Sequence, residues 1–153
     1  MKPGSLIDTA RRLCQGRSKP TQADLKRAVS TAYYALFHAL CLNAADCLIG
    51  GRKAQRSEPA WLQVYRAIDH KPSKAACKHQ KIRAFPKDVE DFATVFADLQ
   101  EERHRADYDP TSRFLRSEVN LMISRADDAL RAFQNVPLKH RRAFAAWIAL
   151  KTR

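Results

Sequence analysis

From Gln22 to Ile49 the chain contains neither glycine nor proline. Within that run Leu25, Ala28, Val29, Ala32, Leu36, Ala39 and Leu40 recur at helical spacing, and Asn43 continues the register. Thr21 is suited to the N-cap, with Asp24 three residues on, and Gly50-Gly51 supplies the stop. A helix of this length must bury its apolar stripe, and the rest of the chain offers helices to cover it. Their expected positions are about Leu6 to Cys14, Ser57 to the residue before Pro72, and Pro86 to about Arg105. A further helix is capped by Thr111 or Ser112 and runs to about Phe133, and a terminal helix follows Pro137. Residues 73–85 read either as a short helix or as a basic loop. Nowhere does the sequence alternate with period two for long enough to make a strand, and only four glycines occur. The expected fold is all-α: an antiparallel up-and-down bundle of about five to six helices. It forms one domain over residues 1–153, with its core in 21–135 and a basic C-terminal helix in 137–153.

The sequence holds no apolar run of the roughly eighteen residues that a membrane span needs. Met1 to Ser5 leads into a mixed polar segment, so the expected location is the cytoplasm with no membrane contact. Cys14, Cys41, Cys47 and Cys77 form no C-x-x-C pair, and two of them lie inside the long helix. They read as buried, reduced thiols rather than as a zinc site or a disulfide framework.

Net charge is +12, and its distribution is uneven. Residues 50–87 carry ten Lys and Arg against Glu58 and Asp69 alone, and 137–153 carry five basic residues and no acid. Residues 88–105 reverse the pattern, with six acids against Arg103 and Arg105. Basic excess of this kind attracts polyanions through counterion release, so nucleic acid is the expected partner class.

Two segments carry more specific information. One is Lys26-Arg27-Ala28-Val29-Ser30-Thr31-Ala32-Tyr33-Tyr34-Ala35-Leu36-Phe37-His38-Ala39, and the other is Leu99-Gln100-Glu101-Glu102-Arg103-His104-Arg105-Ala106-Asp107-Tyr108-Asp109-Pro110. In this order and at this separation they resemble the HEPN domain family, over roughly residues 21–135. The resemblance implies a helical bundle that often dimerises, bound to RNA or a nucleotide. It also implies membership of a group that includes metal-independent ribonucleases of toxin–antitoxin and defence systems, some paired with a nucleotidyltransferase-type antitoxin. Other members are inactive and only bind. Active members carry an Arg that holds phosphate and, after four to six intervening residues, a His that helps the ribose 2′-hydroxyl attack phosphorus. This chain departs from that spacing. None of its five histidines follows an Arg at that distance, and Tyr108 stands five residues after Arg103. An ordinary tyrosine titrates near pH 10 and is a poor base at neutral pH.

The expected site therefore centres on Arg103, His104 and Tyr108 as catalytic candidates in a homodimer cleft. Arg103, Arg105 and Arg66 are the phosphate contacts, and Asp107, His70 and His38 are supporting residues. Arg66 and His70, four apart, are expected on one face of the third helix. The same residues also allow a purely structural reading. Cations at a helix C-terminus offset its dipole, Asp107 to Pro110 can be a cap and turn, and His38, Tyr33, Tyr34 and Phe37 can be core contacts. Glu101-x-x-His104 is half of a carboxylate di-metal motif, but no second Glu-x-x-His occurs, so no metal or other cofactor is expected. The alternative to an RNA-directed protein is a non-catalytic bundle that binds a protein partner.

Overall fold

A computed structural model describes residues 1–16 and 18–152. Arg17, inside the expected break after the first helix, and Arg153, at the end of the basic tail, lie outside the described residues. The regular structure of the described residues is helical throughout, with no strand. It comprises α1 (Pro3–Cys14), α2 (Gln22–Leu48), α3 (Glu58–Ala67), α4 (His70–Lys78), a 3₁₀ segment (Gln80–Ala84), α5 (Lys87–Tyr108), α6 (Arg116–Gln134) and α7 (Leu138–Ala149). None of these helices is long and apolar enough to cross a membrane.

The long helix forms as its pattern predicts. Thr21 Oγ1 accepts from the Asp24 backbone N–H and the Asp24 carboxylate accepts from the Thr21 N–H, a reciprocal cap that satisfies two otherwise orphaned donors. At the other end Gly50 takes φ +134°, in the region glycine alone occupies readily, and a Cβ there would meet Ala54 Cβ at 2.9 Å.

The described residues form seven α-helices rather than five or six, because the expected third helix is two. It breaks after Ala67, where Ile68 turns extended and buried, and Asp69 caps α4 through the His70 N–H. Pro72 does not end a helix; it sits in the first turn of α4, where a missing N–H costs nothing. Two boundaries also move. α5 runs on to Tyr108, and α6 begins at Arg116, with Glu118 accepting from the Leu115 N–H. Thr111 and Ser112 cap no helix. Asp109 accepts from the Thr111 N–H and hydroxyl, and the Ser112 hydroxyl donates to main-chain carbonyls, so both belong to the α5–α6 turn.

α2 is the centre of the bundle, with α1, α3, α5, α6 and α7 all packed against it. Its alanines at 28, 32, 35, 39 and 44 are buried and let neighbouring backbones approach closely. Arg11 ties α1 to α6 through the buried Asp127 carboxylate at 2.6 Å. Burial opposes ionisation there, but Arg131 and Arg11 together hold the Asp127 pKa below its ordinary value. Cys14, Cys41 and Cys77 are buried free thiols, whereas Cys47 is only half-buried.

The basic tail packs on the bundle. Phe144 of α7 is fully buried against Phe92 and Phe133, which stack at 4.4 Å, and the Trp147 indole donates to the Ala76 carbonyl of α4 at 3.0 Å. Truncating such an aromatic removes transfer energy and leaves a cavity. Phe144→Ala should lower unfolding stability by about 3–5 kcal/mol in urea titration, and a loss under about 1 kcal/mol would mean that α7 is not anchored there.

Candidate functional site

The Ala32-to-His38 stretch of α2 faces α3, α4 and α5 with aromatic and imidazole rings. Tyr33 is fully buried, while Tyr34, Phe37 and His38 are half-buried. His70, at the start of α4, enters this group. Its Nδ1 lies 2.5 Å from the Tyr33 hydroxyl, its ring stacks on Phe37 at 3.9 Å, and Tyr34 meets it edge-on at 6.0 Å. Gln100 of α5 donates to the His70 carbonyl at 3.1 Å, fixing the chain at the α4 start. One turn further along α2, His38 repeats the arrangement, with its Nδ1 hydrogen-bonded to the Tyr65 hydroxyl of α3. Among the described residues, neither imidazole uses Nε2 in a hydrogen bond.

Burial lowers the pKa of both histidines, and at His70 the Arg103 charge lowers it further. Both rings are therefore neutral at pH 7. Burial pushes the Tyr65 phenol up to about 12 and raises Tyr33 as well, so both stay protonated. A phenol can donate to a bare Nδ1 or accept from a protonated one, so it holds the ring in either charge state.

Arg103 joins the same group from α5. Its guanidinium carbon lies 5.3 Å from the Tyr33 ring centroid and 5.6 Å from that of Tyr34. Its Nε donates to Asp107 at 3.1 Å, and the Asp107 carboxylate also accepts from the buried Ser30 hydroxyl of α2. This relay from α2 through Asp107 fixes the guanidinium with one edge. Among the described residues neither Nη takes part in a hydrogen bond, which leaves the outer fork for a bidentate oxyanion. The Arg103 side chain is 14% exposed, so the cation is partly desolvated and its contacts are stronger than those of a solvated arginine.

The other expected residues go elsewhere. His104 and Tyr108 form an exposed pair at 4.9 Å on the next face of α5, with Tyr108 64% exposed. Arg105 lies over the Phe114 ring at 4.3 Å and pairs with Glu102 at 3.0 Å. Arg66 is exposed on α3 and shares no helix face with His70, because the chain breaks between them. The site therefore assembles Arg103, Asp107, His70 and His38 with Tyr33, Tyr34, Ser30 and Tyr65. Ser30, Tyr65 and Gln100 were not expected. The legible signal for partners of this kind was the set of polar groups Ser30, Tyr33 and His38 on a helix too apolar to leave them solvated.

Charge is also redistributed by folding. Glu101 of α5 takes Lys78 at 3.1 Å and Lys74 at 3.2 Å, so part of the basic excess of α4 is matched internally. Arg56 is similarly occupied, by Glu58, Asp46 and the Gly50 carbonyl, with the Trp61 ring beneath it. A groove of about 640 Å³ between the start of α2 and the α5–α6 turn carries Lys19, Arg113 and Arg116 and no acidic residue in its lining.

Comparison of the chain with protein-family models, with curated proteins and with solved structures gives no match.

Because both histidines are held neutral by folding, unfolding takes up protons below the ordinary imidazole pKa of about 6.5. The stability they contribute is complete above that pH and is lost as pH falls through their lower folded values. A His38→Gln, His70→Gln double variant should lose stability less steeply below about pH 6.5 than wild type in urea titrations. Parallel curves would show that the rings are solvated.

Proposed function

We propose that this chain is an RNA-directed protein of HEPN-like up-and-down architecture that grips a backbone phosphate with Arg103. The observation that carries the reading is the held guanidinium. Asp107, itself fixed by Ser30, takes Nε, and Tyr33 and Tyr34 support the plane, while both Nη groups remain without a protein acceptor among the described residues. A purely structural arginine at this burial would be expected to spend its fork on carboxylates or carbonyls, as Arg56 does.

Two further features favour RNA over a lone anion. His104 and Tyr108 present exposed rings one face away on the same helix, suited to stack on an unpaired base. The groove with Lys19, Arg113 and Arg116 lies toward the same end of α2 and α5 and extends the cationic surface. In this reading Arg105 adds charge to the rim, and a second copy of the chain completes the cleft as a homodimer. When the protein turns RNA over, it does so without metal by attack of the ribose 2′-hydroxyl on phosphorus.

The missing Arg-to-His spacing favours a second reading, in which the same surface binds RNA and leaves it intact. Salt-dependent binding to a single-stranded RNA separates the possibilities. Arg103→Ala should weaken binding by about 1.5–3 kcal/mol and reduce the salt slope by nearly one ion. Arg103→Lys should not restore affinity, because a lysine lacks the fork. Wild-type affinity in Arg103→Ala would remove Arg103 from the interface, and bound RNA recovered whole would select binding without turnover.

A further inference from the structure

The two phenol-anchored histidines have a use that the spacing along the chain conceals. His70 comes from α4 and His38 from α2, yet both rings lie against Tyr34, at 6.0 and 6.4 Å, and Tyr34 also touches Arg103. Each ring is fixed through Nδ1 by a tyrosine hydroxyl, and each keeps Nε2 without a partner among the described residues. A carboxylate on Nδ1 would hold an imidazole charged, whereas a phenol tolerates both states. Two histidines so held, around the one tyrosine that Arg103 also covers, are the kind of groups that paired proton transfer at a phosphodiester requires.

We infer that His70 and His38, rather than any histidine placed at the family spacing from Arg103, form the acid–base pair of an RNA-cleaving site. This rests on the reading of Arg103 as the phosphate grip. The assignment within the pair follows from charge. His70 is bonded to Tyr33, whose ring Arg103 also covers, so the cation keeps it unprotonated and able to accept a proton; His38 shares only Tyr34 with Arg103 and is the ring left to carry one. In the step, His70 Nε2 takes the proton of the 2′-hydroxyl as that oxygen bonds to phosphorus. The bond from phosphorus to the 5′-oxygen breaks, and the departing oxygen takes a proton from His38, which is charged only as pH falls below the ordinary imidazole value of about 6.5, so cleavage is faster at mildly acidic pH than at pH 7. The products are a 2′,3′-cyclic phosphate and a 5′-hydroxyl. The proton gained by His70 and lost by His38 re-equilibrates through water, so no metal, oxidant or further reactant enters. Arg103 carries the charge that grows on the non-bridging oxygens, and Tyr33 and Tyr65 are positioning residues.

The test uses the full chain with EDTA, a mixed-sequence RNA and the dinucleotide UpA. His70→Gln and His38→Gln should each slow cleavage by about 100-fold or more, with RNA affinity unchanged. Tyr33→Phe keeps the imidazole but frees it, and should lower kcat with KM held. His140→Gln, on α7 away from this group, should cleave like wild type. If His70→Gln does not fold, His38→Gln and Tyr33→Phe decide the matter. Wild-type rates in His38→Gln or His70→Gln would overturn the pair. So would wild-type protein that binds RNA and never cuts it, a result that leaves the Arg103 reading standing. Failure both to bind and to cut would remove the two together.

Discussion

The structure depends on the burial of α2 on nearly all sides. A 27-residue helix wrapped by five others cannot leave its polar groups to water, and an unpaired polar group in such a place costs about 1–3 kcal/mol. Five of them are met by groups from other parts of the chain. Ser30 donates to Asp107 of α5, Tyr33 pairs with His70 of α4, and His38 pairs with Tyr65 of α3. Asn43 donates to the Arg141 carbonyl of α7, and Gln22 exchanges two hydrogen bonds with the Phe114 backbone before α6. These contacts set where the short helices begin and how they sit on the long one.

The candidate site is a by-product of the same demand. Pairing Ser30 and Tyr33 brings Asp107 and His70 to one patch, and Asp107 in turn aligns Arg103. What distinguishes the patch from ordinary core satisfaction is the remainder. Arg103 keeps its outer fork, and His70 and His38 keep one ring nitrogen each, at partial exposure. Elsewhere on the bundle comparable groups are used up. Arg56 is surrounded by acceptors, Asp127 by Arg11 and Arg131, and Glu101 by Lys74 and Lys78.

The extended basic character therefore overstates the free cationic surface. Some of the positive charge of residues 50–87 is matched by α5, whose acidic stretch lies against α4. Exposed pairs of this kind add little stability, typically 0–1 kcal/mol each, but they remove the lysines concerned from the pool that could meet a polyanion. The cations that bear on the proposal are Arg103, which pairs with Asp107 through Nε alone, and the groove residues Lys19, Arg113 and Arg116.

The sequence alone determined the helical class, the capped long helix from Thr21 to its glycine stop and the apolar stripes, because helical periodicity and capping are local properties of neighbouring residues. It also marked Arg103, Asp107, His38 and His70 as residues of interest. It misplaced the break at Asp69 and the start of α6, since both are set by contacts rather than by the strongest local signal: burial of Ile68 in one case, and use of Thr111 and Ser112 in the Asp109 turn in the other. Only the tertiary structure decided that Arg103, His70 and His38 gather around Tyr34, while His104 pairs with Tyr108 and Arg66 stays exposed. The gathering follows from the His38–Tyr65, Tyr33–His70 and Ser30–Asp107 hydrogen bonds, which join residues 27, 37 and 77 positions apart and supply the partners that the polar groups of α2 require.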